Sequence, residues 1–493
     1  MSGKKVVVIG SGFASLAAAT SLAANGFTVD VLEKNSTPGG RARSFTQDGF
    51  TFDMGPSWYW MPDVFEQYFK KFNKSTADYY QLVRLDPSYT IIFGPDDFMP
   101  VPAQMSQLNY LFESLEAGSS QALQKFLAEA AYKYQVGINN LVYKPSRNVS
   151  EFLNFKLLLD VFRLDVFQSI HTHLRKYFQH EKLLKLLEFP ILFLGALPEN
   201  TPALYSLMNY ADISLGTWYP MGGMYQIVAG MVALAQEKGV TFHYNQEVKQ
   251  IHVEENQVKT LETQSGIFKA DVVVAGADYH HVEQNLLSPE YRTYSPEYWE
   301  NRVMAPSSLI FYLGINKRLE QLTHHNLFFD EDFKPHAREI YETPKWPEKP
   351  LFYVSVPSQS DSSVAPPGCE NLFILIPVAP GLEDNETIRE YYYHLVMERL
   401  EKLTKQRIRD AVVVKRSYAH ADFIRDYHAF KGNAYGLANT LRQTAILKPG
   451  LKSKKVKNLF YTGQLTVPGP GVPPSLISGQ VVAEEIRKEF SAI

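Results

Sequence analysis

A chain of 493 residues exceeds what one simple core organises, so two or three domains are expected. Hydrophobic residues make up 45% and charged residues 20%, and the net charge of −3 argues against a nucleic-acid binder. A single cysteine, Cys369, rules out an intrachain disulfide and fits a reducing compartment.

Lys5-Val6-Val7-Val8-Ile9 reads as a buried strand, Gly10-Ser11-Gly12 as a tight turn and Phe13-Ala14-Ser15-Leu16 as the start of a small-residue helix. Because the chain opens on a core strand, no signal peptide is expected. Glu33 ends a second strand, Thr28–Leu32, at the distance from Gly10 that a dinucleotide fingerprint requires. Gly10 permits the turn and Gly12 lets backbone approach a pyrophosphate, while the helix N-terminus presents unpaired N–H groups and partial positive charge. Glu33 can accept hydrogen bonds from both ribose hydroxyls and would repel a 2′-phosphate, which disfavours NADP. Ser15 stands where the fingerprint has its third glycine, a departure expected to loosen the helix–strand contact. Gly39-Gly40-Arg41-Ala42-Arg43 follows, where a nicotinamide dehydrogenase would enter its next helix. This second turn brings backbone to the same pyrophosphate, and Arg41 or Arg43 can supply countercharge.

Residues 96–219 are helical in pattern, with leucines and aromatics recurring at helical spacing from Phe152 to Leu197. Phe152–Arg163 interleaves large apolar residues with Lys156 and Arg163, as an interfacial helix does, a core helix being the alternative. The longest apolar stretches, such as Phe189–Leu197, are about half the roughly 20 residues that span a bilayer. Pro220-Met221-Gly222-Gly223 introduces a helix from Ile227 to about Lys238, with short strands near 240–274. Residues 286–429 mix strands at Ser308–Gly314 and Leu372–Pro377 with a helix near 387–404. Asn458–Tyr461 reads as a strand leading to Gly463, followed by a Pro/Gly loop and a closing helix whose start the prolines pre-set. Amides around Gly471 and Ser475 can face a bound group that gains negative charge. Aromatics reach 13%; most fit a Phe-rich core, and some are candidates to line a long apolar tunnel.

The first strand, its glycine turn, Glu33 and the second glycine turn together resemble the FAD-binding head of the flavin amine oxidase and phytoene desaturase superfamily. The pattern G-Q-x-T-x-P-G-x-G-V-P-x-x-x-x-S-G at Gly463–Gly479 is similar to the C-terminal signature of bacterial-type phytoene desaturases, the FAD-dependent carotenoid desaturases. Gly49–Ser57 is similar to the family segment beneath the flavin, and Asp361–Gly368 and Gly432–Leu437 resemble further family segments. So does Ala275–Asp278, with Gly276 where the family usually has Asn. The resemblance covers nearly the whole chain, the helical stretch after residue 100 being its least distinctive part.

The two cofactor halves lie at opposite ends of the sequence, so the resemblance implies an α/β fold with α+β inserts. A Rossmann-like FAD-binding domain is assembled discontinuously from 1–95, 220–285 and 430–493. Residues 96–219 form a helical substrate, lid or membrane-facing region, and 286–429 a mixed-sheet substrate-binding domain. FAD is expected to contact Gly10, Gly12, Phe13, Ala14, Glu33 and Lys34, then Gly39, Gly40 and Arg41, then Gly55, Pro56 and Ser57. Val248 matches the position that holds the adenine, and Gly463, Gly471 and Val472 complete the set. No Cys or His lies in Gly463–Gly479, so the cofactor is expected to be non-covalent.

The implied reaction creates a C=C bond: a hydride passes from carbon to the flavin while a proton leaves the adjacent carbon. The implied substrate is a C40 carotenoid, either phytoene or a later acyclic or hydroxylated one, for instance in 3,4-desaturation of a 1′-hydroxy carotenoid. Asp53 is a candidate for taking the proton, with a structural role as the alternative. Oxygen or a quinone would reoxidise the flavin. A C40 hydrocarbon gains about 30 kcal/mol on leaving water, so substrate is expected to come directly from a bilayer. The enzyme would dock peripherally on the cytoplasmic side of that membrane. Alternatives are a carotenoid cis–trans isomerase, a flavin amine oxidase and a non-enzymatic prenyl-chain escort protein. His171/His173, His280/His281 and His324/His325 lack ligand spacing to Cys or carboxylates, so no metal is expected.

Overall fold

The computed structural model describes residues 3–152, 165, 168–192, 197–440 and 443–490. Its first layer is a five-stranded sheet in the order Leu459–Tyr461, Val272–Ala275, Lys5–Ile9, Thr28–Leu32, Thr241–His243, parallel throughout. Parallel strands covered on both faces need uninterrupted apolar sequence, and Val6, Val7 and Val8 are fully buried. The helix Phe13–Ala24 packs against Tyr225–Glu237 and the terminal helix Val472–Phe490. Small residues let the helices meet: a Cβ on Gly479 would lie 2.0 Å from the Ala14 carbonyl oxygen. Chain ends far apart in sequence thus close one layer. Val248–Glu254, Gln257–Thr263 and Gly266–Lys269 form an antiparallel meander beside it.

The second layer is a seven-stranded sheet in the order Val412–Tyr418, Ser307–Ile315, Glu370–Val378, Phe352–Ser355, His325–Phe328, Tyr89–Gly94, Asp97–Val101. Every residue of Ser307–Ile315 is buried, and its alternation decides which face each side chain serves. Leu309, Phe311 and Leu313 pack with Val396, Met397 and Leu400 of the helix Glu386–Thr404, while Ile310 and Tyr312 join the main core shared with the first layer. The strands and helix expected in 286–429 are present and one to three residues longer. The boundary expected at residue 95 falls inside the hairpin Tyr89–Gly94/Asp97–Val101, whose inner strand pairs with His325–Phe328. Cross-strand pairing therefore places 89–94 with the larger sheet.

Residues 96–219 include the helices Met105–Leu115, Ser119–Val136, Ile170–Leu174 and Glu181–Leu192. Leu183, Leu184, Leu186, Leu187 and Phe189 are buried, so that part of the leucine-rich stretch is core. Beyond Phe152, the segment weighed as an interfacial helix lies outside the described residues. Among the described residues, no helix is long and apolar enough to cross a membrane.

Candidate active site

Three glycine-rich turns meet at the C-terminal edge of the parallel sheet. Gly10 has φ +87° and donates to the Leu32 carbonyl at 2.8 Å, closing the first turn. Gly12 begins the helix Phe13–Ala24 from extended backbone, and a Cβ added there would meet no protein atom within 4 Å. Gly39, at φ +113°, donates to the Ser11 carbonyl at 3.0 Å, and a Cβ on Gly40 would lie 3.4 Å from Gly12 Cα. Gly55 backs the same place, its would-be Cβ 2.5 Å from the Arg41 carbonyl oxygen. Backbone, helix N-terminus and open space converge there, the arrangement that takes an anion.

Glu33 is buried and holds the first turn. Its Oε2 accepts from Ser11 N at 2.9 Å and Ser11 Oγ at 2.5 Å, and its Oε1 from Asn35 N at 2.8 Å and Asn35 Nδ2 at 2.9 Å. The departure at Ser15 has a local answer: a Cβ on Gly276 would sit 1.9 Å from Ser15 Oγ. Gly276 makes the room that the serine needs, so the helix–strand contact stays close.

The two arginines separate. Arg43 Nη2 donates to Asp426 at 2.8 Å. Arg41 is half-buried, donates to the Asn433 carbonyl at 3.2 Å and lies 5.2 Å from the Tyr427 ring centroid, and its buried Nε has no partner among the described residues. Burial pulls its pKa down, opposed by the nearby Asp278 carboxyl, itself pushed up to about 6 by burial. Ser15 Oγ is likewise buried and without a partner among the described residues. A guanidinium with a free Nε–H and an orphaned hydroxyl beside an anion cradle fit a phosphate-bearing cofactor.

These groups line one cavity of about 390 Å³. All the residues that the sequence assigns to FAD stand on its wall: Gly10, Gly12, Phe13, Ala14, Glu33, Lys34, Gly39, Gly40, Arg41, Gly55, Pro56, Ser57, Val248, Gly463, Gly471 and Val472. Lys34 turns its ammonium to the Arg425 carbonyl and His428, and burial lowers its pKa. The Ser475 amide donates to the Gly471 carbonyl at 3.0 Å, so it is spent inside the helix. Gly471 and Val472 are left to present the loop's backbone to the cavity.

Asp53 is absent from this wall. Its carboxylate accepts from Met224 N at 2.7 Å and Tyr225 N at 3.0 Å, fixing the start of the helix Tyr225–Glu237. Burial pushes its pKa up to about 6 against those hydrogen bonds. It faces a separate void of about 20 Å³, and its geometry is that of a helix cap.

The rest of the wall comes from side chains that sequence reasoning did not single out. Trp58, Trp60 and Met61 follow Ser57, while Ile310, Tyr353 and Leu375 come from neighbouring strands of the large sheet. Met208 arrives from the helical insert and Phe423, Tyr427 and Tyr435 from the chain's last third. Trp58 and Trp60 were reachable from the motif they adjoin; the others depend on strand pairing. Away from the cavity, His173 gathers Glu129 and Asp165 with ligand atoms within 4.8 Å, partners its sequence spacing did not show. The Lys133 ammonium already sits 2.9 Å from Asp165 there.

Flavin containing amine oxidoreductase is the family whose pattern matches residues 13–487. The chain is 39% identical over 492 residues to a carotenoid 3,4-desaturase of Haloarcula japonica, covering 100% of this chain and 99% of that protein. It is 32% identical over 495 residues to a zeta-carotene-forming phytoene desaturase of Myxococcus xanthus, covering 98% and 94%. An oxidoreductase from Methanosarcina mazei has the same fold, with TM-score 0.62 at 17% identity over 97% of this chain and 100% of that one.

Proposed function

The chain belongs to the flavin containing amine oxidoreductase family, in its bacterial-type carotenoid desaturase branch, and on that premise we propose that it uses FAD to introduce C=C bonds into an acyclic carotenoid. The observation that carries this reading is one cavity whose wall joins an anion cradle to aromatic and aliphatic side chains.

When bound, FAD supplies a two-electron oxidant that accepts hydride from carbon. The protein's part is to hold, orient and exclude water. Gly10, Gly12, Gly39 and Gly40 with Arg41 take the pyrophosphate, with Phe13 and Ala14 opening the helix behind it. Glu33 takes the ribose, beside Lys34, and Val248 the adenine. Gly55, Pro56 and Ser57 with Gly463, Gly471 and Val472 frame the flavin end, where backbone N–H groups stabilise developing negative charge. Trp58, Trp60, Ile310, Tyr353 and Leu375 give the polyene a dry wall, in which charge separation is governed by fixed dipoles. The 3,4-desaturase and phytoene desaturase names of the relatives support an acyclic polyene as substrate. Its insolubility points to peripheral docking on the cytoplasmic face of a membrane, with oxygen or a quinone as final acceptor.

Expression in cells that accumulate phytoene or a 1′-hydroxylated γ-carotene tests the reading, with pigments followed by absorbance and mass. Red-shifted products from phytoene establish a phytoene desaturase, and conversion of the hydroxylated substrate alone a 3,4-desaturase. No change in either, with FAD bound, removes the carotenoid reading. Acid denaturation and filtration should release all flavin, and retention on the protein would contradict non-covalent binding.

A further inference from the structure

Proton loss from carbon needs an acceptor, and Asp53 is engaged as a helix cap. The sheet wall offers another group. Ile310, Leu375 and Tyr353 are paired across three adjacent strands and all face the cavity, so the Tyr353 phenol stands in an otherwise aliphatic row. Its oxygen is 2.6 Å from His325 Nδ1. His325 is fully buried, its ring stacked on Trp58 at 4.1 Å and 12°, and its Nε2 has no partner among the described residues. Burial holds that imidazole well below its usual pKa, so it is neutral. The relay uses the tautomer with the ring proton on Nε2, in which Nδ1 accepts and the phenol is the donor. The Ser57 hydroxyl, from the segment assigned to the flavin end, lies beside the same phenol.

We propose that Tyr353 is the catalytic proton acceptor of the desaturation and that His325 is the positioning residue that relays the proton behind it. This rests on the carotenoid desaturase reading. One C–H bond breaks with its electron pair as hydride leaves for the flavin. The neighbouring C–H bond breaks and its pair becomes the new π bond. That proton passes to the Tyr353 oxygen as the phenolic proton moves to His325 Nδ1. The substrate loses two hydrogens and two electrons, and the protein gains one proton, which returns to solvent after turnover. A weak base suffices, because a C–H beside an electron-deficient allylic carbon is strongly acidic. The stack on Trp58 fixes the imidazole plane, and the strand fixes the phenol.

The holoenzyme with Tyr353→Phe, which keeps the ring and its packing, tests this. Its kcat should fall about 10²–10⁴-fold with KM changed less than about threefold and FAD content and unfolding temperature as in wild type. Wild-type kcat should also show a solvent deuterium isotope effect that the variant lacks, because the phenolic proton exchanges with water. His325→Phe, which retains a ring against Trp58, should lower kcat about tenfold or more and weaken the same isotope effect. A Tyr353→Phe enzyme within about threefold of wild-type kcat, or one that loses FAD, would overturn the assignment, the latter by showing a structural role. A wild-type enzyme that desaturates nothing would instead remove the desaturase reading itself.

Discussion

The two sides of the cavity are made of different material. The cofactor side is backbone: turns at Gly10–Gly12, Gly39–Gly40 and Gly55, held by Glu33 and by helices in contact through Gly479. The sheet side is rings and aliphatic chains from strands at Ser307–Ile315, Phe352–Ser355 and Glu370–Val378. Backbone binding depends on local conformation, so one added methyl disrupts it. Side-chain walls depend on volume and tolerate exchange of like for like. The cofactor side should therefore be brittle in FAD retention, and the sheet side selective in turnover.

The largest break in that contrast is expected at Gly479→Ala. The new Cβ would lie 2.0 Å from Ala14 O, forcing apart the helices that carry both halves of the cofactor side. Stability should fall by about 3 kcal/mol or more, and the protein should purify without flavin. Leu375→Met, on the sheet side, should keep its flavin and lose less than about 1.5 kcal/mol. Urea unfolding and flavin absorbance check both.

Asp53, off the cavity wall, caps the helix Tyr225–Glu237, and its charge state gives the next effect. Its folded pKa of about 6 exceeds the ordinary 3.8, so the folded state holds the proton more tightly. That contribution is fully present below the unfolded value and is lost as pH rises through 6. The stability of wild type relative to Asp53→Asn should thus drop by about 2 kcal/mol between pH 4 and pH 7. A difference independent of pH would show that Asp53 is not a buried cap.

Glu33→Ala should weaken FAD retention by about 2 kcal/mol, roughly 30-fold, because the turn loses its anchor and the ribose its acceptor. Glu254→Ala, at an exposed strand end, should leave retention unchanged. Equal flavin occupancy in the two variants would contradict the ribose assignment.

The smallest effect concerns a local repair on the cofactor side. Gly276→Ala should destabilise through its clash with Ser15 Oγ, and Ser15→Gly should rescue it, with a coupling of about 1 kcal/mol. Additive effects would mean that Ser15 and Gly276 do not share their space.

Legibility in the sequence followed the same division. Gly10, Glu33, Gly39 and Gly471 announce themselves because each turn needs its residue type at fixed local spacing, and all reach the cavity. Gly276 resembled a family departure, and the compensation with Ser15 needed the parallel pairing of Lys5–Ile9 with Val272–Ala275 to appear. Tyr353 and His325 carry no local signal: a tyrosine in an apolar strand and one of two adjacent histidines look like core. Their meeting at 2.6 Å depends on antiparallel register between His325–Phe328 and Phe352–Ser355. Ser475 reaches the cavity, but its amide is bonded to the Gly471 carbonyl, a pairing that local spacing does not reveal. The hairpin across residue 95 was split because its partner strand lies far down the chain.

The central claim is that this cavity couples FAD to net oxidation of a polyene. An anaerobic single turnover tests it most directly: purified holoenzyme is mixed with an acyclic carotenoid in liposomes, flavin absorbance is followed, and the pigment is weighed by mass spectrometry. The account predicts that oxidised flavin bleaches in step with a product two hydrogens lighter than its substrate, one flavin per new double bond. A product of unchanged mass, formed while the flavin stays oxidised or only when it is supplied reduced, would contradict it.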